Sequence, residues 1–141
     1  MSRLQIVCEW FDEIWVRQEL DALERYFVDE NAARGMSGLD LHPEDFRAIV
    51  PAIRRMIAEP DLEVLTHFQN DDWLWVLVQV TGTCPRSATP IRFSGQMALR
   101  FSGTQIAEAY NHFDFINFFE QTGALPAETM ALCLSGERLG L

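Results

Sequence analysis

The chain has too few cysteines, too few basic residues and no apolar run long enough for three broad classes of protein. Cys8, Cys84 and Cys133 are odd in number and far apart, with no Cys-x-x-Cys pair and no Cys/His zinc spacing. Neither a disulfide framework nor a bound metal is expected. Lys and Arg number 11 against 21 Asp and Glu, a net charge of −10. The basic residues are scattered, and Arg54–Arg55 is the only adjacent pair. Such a surface repels phosphate backbones and anionic membrane faces, so neither nucleic acid nor membrane is an expected partner. No stretch approaches the ~20 apolar residues of a membrane span. The apolar N-terminal run is cut by Glu9, unlike a signal peptide, and the expected location is cytoplasmic. Repeats and low-complexity linkers are absent.

What is present is an ordinary globular composition rich in aromatic residues. The 141 residues suit one domain, 1–141. Ten Phe, four Trp and two Tyr fit a large core or an aromatic-walled cavity.

Leu4, Val7, Phe11, Ile14 and Trp15 recur at helical spacing behind Ser2, a good cap, and predict a helix from about Arg3 to Val16. Leu20, Leu23, Tyr26 and Phe27 repeat the pattern in a second helix. Asn31–Asp40 reads as loop with room for a short strand. Pro43 opens a third helix, with Phe46, Ile49, Val50, Ile53 and Ile57 as its buried stripe and a kink expected at Pro51. After Pro60 the period changes to two. Strands are expected at Leu62–Gln69, Trp73–Thr81, Ile91–Phe101 and Gln105–Phe115, with a bulge or bend at Gly95 and a tight turn at Ser102–Gly103. A short helix follows through Gln121, and an amphipathic one spans Pro126–Leu134. Helices first and antiparallel hairpins after define an α+β fold: a curved sheet closed into a cone by three N-terminal helices.

Four stretches, in order, resemble the SnoaL-like polyketide cyclases of the nuclear transport factor 2-like superfamily. FDEIWVRQELDALERYFVDE is similar to their first two helices and EPDLEV to the entry into their sheet. VTGT at Val80–Thr83 is similar to the end of their central strand, and IAEAYNHFDFINFFEQTGALP to their closing block. The likeness covers residues from about 8 to 126 and leaves 127–141 as a C-terminal extension. It implies a nuclear transport factor 2-like (cystatin-like) cone, a homodimer, and a hydrophobic small molecule as ligand. Some family members close polyketide rings by an intramolecular aldol reaction, in which the Asp of the closing block is general acid/base without metal or cofactor. That residue here is Asp114. Relatives with this fold include ketosteroid isomerases, scytalone dehydratases and limonene epoxide hydrolases, so fold alone does not name the chemistry. The sequence departs from the pattern at Cys84, where a His often stands, at Tyr110, where a Trp is usual, and at Asn31–Arg34, which lacks the family's His.

Strict alternation would put Ile106, Glu108, Tyr110, His112 and Asp114 on one face of the last strand. If that face is the inner one, a carboxyl raised by burial could take and return a proton. Asp114 and His112 are then the catalytic candidates, with Tyr110 beside the ligand. The competing reading makes Asp114 the N-cap of the helix that follows. Phe11, Trp15 and Phe46 are core residues that become pocket wall where a cavity is open. Val76, Val78, Met97 and Leu99 would line it from the sheet. The Val-rich face of Trp73–Thr81 is expected inside, and Trp73 and Trp75 in a dimer interface. The leading reading is a cofactor-free acid/base enzyme, a cyclase or isomerase acting on a hydrophobic, carbonyl-bearing small molecule; a small-molecule binding module and a dimeric scaffold filled by its own side chains are the alternatives.

Overall fold

The computed structural model describes residues 1–36 and 38–140. Its first helix, α1 (Arg3–Trp10), starts at a capping box: Ser2 accepts from the Gln5 amide, and the Gln5 side chain accepts from the Ser2 amide. The helix continues as a π-wound segment, Phe11–Val16, in which the Arg17 amide bonds the Asp12 carbonyl five residues back, at 2.9 Å. The second expected helix is a 3₁₀ turn, Leu20–Tyr26. A short strand, β1 (Ala33–Met36), precedes a 3₁₀ turn at Pro43–Asp45 and α2 (Phe46–Arg54), which runs through Pro51.

Four long strands follow: β2 (Ala58–Asn70), β3 (Trp73–Thr83), β4 (Pro90–Ser102) and β5 (Gln105–Phe113). The sheet order is β1-β5-β4-β3-β2, antiparallel throughout except for the parallel β1–β5 pair. In β3 the alternation is regular. Leu74, Val76, Val78 and Val80 are buried under the helices, while Trp73, Trp75 and Leu77 lie half-buried on the outer face. Aromatic rings lock the helical layer: Trp10 meets Tyr26, Phe27 and Phe46 edge-on at centroid distances of 5.2, 5.4 and 5.3 Å. Each such contact adds ~0.5–1.5 kcal/mol beyond burial.

Gly95 makes no bulge. It pairs in register with Val78 and Phe113, and an added Cβ would lie 2.1 Å from the Phe113 ring. Its missing side chain is a seat for that ring. The irregularity lies further along the same hairpin. Arg100 pairs with Glu108 and Phe101 with Ile106, so β5 carries one extra residue, Ala107, at that point. A β-bulge of this kind shifts every later side chain to the other face. Ile106 is buried, and beyond the bulge the inner residues are Ala109, Asn111 and Phe113.

After β5, α3 (Phe115–Thr122) is fastened to β4 by Gln121, whose side chain accepts from the Arg92 amide and donates to the Arg92 carbonyl, both at 2.8 Å. α4 (Thr129–Leu134) lies in the tail, with Leu134 80% exposed. No helix among the described residues is long and apolar enough to cross a membrane.

Candidate functional site

Between the helical layer and the inner face of the sheet lies an apolar cavity of about 70 Å³. That is several times the roughly 10–15 Å³ a water needs, so the space suits a small ligand. The first helix and its π segment contribute Trp10, Phe11 and Trp15. From α2 come Phe46, Ile53 and Arg54. The sheet adds Val80, Phe93, Met97, Leu99, Ile106, Ala109, Asn111 and Phe113, and Phe115 closes the α3 end. Phe11 and Trp15, four residues apart in the π segment, both reach the wall.

Of the residues expected to touch a ligand, Phe11, Trp15, Phe46, Met97 and Leu99 are on this wall. Val76 and Val78 are fully buried in the core but belong to the packing beneath it. Tyr110, His112 and Asp114 are placed elsewhere. The expected face, shared with Ile106, does not exist, because the Ala107 bulge separates Ile106 from the residues that follow. Tyr110 and His112 are exposed on the outer face. Tyr110 stacks on Trp73 at 6.4 Å and its hydroxyl hydrogen-bonds Glu108, which also pairs with Arg100 at 3.1 Å. Asp114 is exposed at the start of α3, where its Oδ1 accepts from the Asn117 amide at 3.1 Å. It acts as the helix N-cap and is not part of the cavity wall.

Among the described residues, Arg54 and Asn111 bring polar side chains to the cavity, and neither was a site candidate in the sequence. Asn111 is 6% exposed. Its amide donates to the Gly35 carbonyl at 3.4 Å, and its side-chain oxygen accepts no hydrogen bond from the described residues. Arg54 stands at the end of α2. Its Nη1 donates to the carbonyls of Trp15 and Val16, at 3.1 and 2.7 Å, supplying partners that the end of the first helix lacks. Its position had a legible signal: Phe46, Val50 and Arg54 follow at four-residue steps, so one cation sits in the buried stripe of a helix. Asn111 had none, since only the bulge turns it inward.

A second polar cluster braces the helical layer outside the cavity. The Tyr26 hydroxyl donates to Glu13 at 2.7 Å, and Arg25 pairs with the same carboxylate oxygen at 2.7 Å. Burial, then the Glu13 bond, pushes the Tyr26 hydroxyl well above its ordinary range. The Tyr26 bond, with Arg25 behind it, holds Glu13 below its own. Among the described residues no group of three or more His, Cys, Asp or Glu could hold a metal ion.

No family model and no curated protein matches the sequence. Solved structures match its fold over most of the chain. A SnoaL-like polyketide cyclase from Agrobacterium tumefaciens is 15% identical, with a TM-score of 0.66 over 86% of this chain and 98% of that one. A protein from Catenulispora acidiphila with a ketosteroid isomerase-like fold, solved with trimethylamine, is 18% identical, with a TM-score of 0.69 over 87% and 95%. AclR from Streptomyces galilaeus, a candidate hydroxylase, is 15% identical, with a TM-score of 0.72 over 95% and 89%. At these identities the likeness is one of fold. The chain has the ketosteroid isomerase-like, nuclear transport factor 2-like α+β fold, and the resemblance to SnoaL-like proteins read in the sequence agrees with it.

Proposed function

We propose that this chain is a binding module that holds a small, largely apolar molecule in the cavity between its helices and sheet. The observation that carries this reading is the wall itself, built among the described residues from aromatic and aliphatic side chains with Asn111 and Arg54 as its polar members. Apolar surroundings with a few placed polar groups characterise ligand sites rather than packing faults. The rival reading is cofactor-free acid/base chemistry of the aldol or isomerase kind, which draws on fold neighbours such as the Agrobacterium tumefaciens polyketide cyclase. It places Asp114 and His112 at the reacting carbon. Both are exposed, Asp114 spends an oxygen on the Asn117 amide, and neither belongs to the wall, so binding without them is the better-supported function.

We further propose a homodimer formed through the outer face of the sheet. Phe68 stacks on Trp75 at 5.4 Å and Trp73 on Tyr110, with Phe68 66% and Leu65 48% exposed. An apolar patch of this kind on a strongly acidic protein suits burial against a second copy.

The test of the binding reading uses a neutral probe, 3-phenylpropan-1-ol. It should shift the NMR signals of Trp10 and Trp15 saturably. Ala109→Phe, which fills the cavity from β5, should fold and lose that response. Unresponsive indole signals at millimolar probe would return the chain to the self-filled scaffold.

A further inference from the structure

Arg54 is a cation on the wall of an apolar cavity, and no described carboxylate pairs with it. Elsewhere Arg17, Arg25, Arg47 and Arg100 each meet an acidic side chain, in a chain with nearly twice as many acids as bases. The half-buried guanidinium of Arg54 divides its donors unevenly. Nη1 serves the Trp15 and Val16 carbonyls. Nε is buried and has no hydrogen-bond partner, and Nη2 makes no hydrogen bond to a described residue. Nε and Nη2 together form the edge of the fork that binds a carboxylate through two parallel bonds. Leaving a charged donor buried and unsatisfied is costly, more so than for a neutral group.

We infer that the ligand is a small amphipathic carboxylate, its apolar body against the aromatic wall and its carboxylate on the free edge of Arg54. The inference rests on the binding reading above and adds the charge of the ligand's head. The helix-end role of Arg54 does not account for the unused edge, because one nitrogen performs it. A net charge of −10 sharpens the argument. The field of the whole protein disfavours anions, so an anion that binds better than its neutral counterpart must be held by a local cation. Asn111 offers a ligand hydroxyl or amide its unused oxygen at a second point on the wall.

The experiment compares two probes with one skeleton, 3-phenylpropanoate and 3-phenylpropan-1-ol, by titration calorimetry at pH 7 on the full chain. Wild type should bind the acid at least about tenfold more tightly than the alcohol, the scale of one charge-assisted contact. Arg54→Gln should abolish the preference, so that the variant binds the acid no more tightly than it binds the alcohol. Arg54→Lys keeps the charge without the fork and should restore only part of it. Circular dichroism checks that the variants fold. If they do not, the wild-type comparison still decides. Equal affinity of wild type for acid and alcohol would overturn the carboxylate inference and leave the pocket intact. Failure of both probes to bind would overturn the binding reading, and this inference with it.

Discussion

Gly95→Ala is the sharpest structural test, because one methyl group meets one ring. The added Cβ would lie 2.1 Å from Cδ1, 2.4 Å from Cγ and 2.6 Å from Cε1 of Phe113. Carbon atoms rest at about 3.5–4.0 Å, so the ring must retreat by more than about 1 Å. It cannot do so freely. Phe93 and Phe115 flank it at centroid distances of 6.5 and 6.1 Å, and all three rings belong to the cavity wall. Overpacking of this kind costs ~1–3 kcal/mol, and replacing a strand glycine returns less than about 1 kcal/mol. The net loss should be about 2 kcal/mol, or ~4–8 °C in Tm for a chain of this size. Urea and thermal unfolding measure it. The decisive control is Phe113→Ala in both backgrounds. In wild type it should destabilise, whereas in Gly95→Ala it should cost far less, giving a favourable coupling of ~1–3 kcal/mol. A Gly95→Ala protein as stable as wild type, or additive effects in the cycle, would show that the ring does not use this seat. The same displacement should weaken binding of 3-phenylpropan-1-ol, since the ring that leaves Gly95 moves on the cavity wall.

Asp114→Asn should be near neutral in stability and ligand binding, while Asp114→Ala costs ~1 kcal/mol in unfolding experiments, because Asn caps a helix as well as Asp does. A large loss of ligand binding or of any turnover in the Asn variant would revive the acid/base reading. Tyr26→Phe should destabilise the chain most near neutrality. The raised Tyr26 contributes stability that is whole below its ordinary pKa of 10.0 and lost as pH rises beyond it. The lowered Glu13 contributes stability present above its ordinary 4.5 and lost as pH falls below it. The wild-type-minus-variant difference should therefore shrink at both ends of a pH series of urea titrations, and a flat difference would refute the pair. Sedimentation at micromolar concentration should give about twice the chain mass of 16.2 kDa, falling toward the monomer in a Phe68→Glu/Trp75→Glu variant.

Much of the fold was legible because period and punctuation are local. Ser2 announces the first helix, Pro43 the third, and the change of period after Pro60 announces the sheet. The inner face of β3 followed from four β-branched or Leu residues at alternate positions. What the local pattern could not carry was the winding within a helical stretch. Phe11–Val16 and Leu20–Tyr26 have helical spacing, yet one is π and the other 3₁₀, a difference that spacing alone does not encode. Gly95 was misread for a related reason. A glycine in a strand signals either a bend or a close approach, and only the tertiary partner distinguishes them.

The candidate site was legible on its apolar side, and in β5 a single residue hid its polar side. Apolar wall residues such as Met97 and Leu99 come from β4, whose alternation runs unbroken from Ile91 to Leu99. In β5 the same rule, applied from Ile106 onward, reaches Asp114 through Tyr110 and His112. Ala107 breaks it, because two residues of β5 stand opposite one step of β4. Nothing in the string Ile-Ala-Glu-Ala-Tyr-Asn-His-Phe marks that extra residue, since the two alanines fit either register. Burial decides the register. With the bulge, Ala109, Asn111 and Phe113 face the cavity and Glu108, Tyr110 and His112 face out. Without it, an acid, a phenol and an imidazole would enter an apolar enclosure, and Phe113 would lose its place on Gly95. Desolvating those polar groups costs more than turning in one Asn whose amide finds the Gly35 carbonyl. The bulge thus keeps these titratable side chains off the wall and leaves Arg54, arriving from the opposite layer, as its one charged side chain among the described residues.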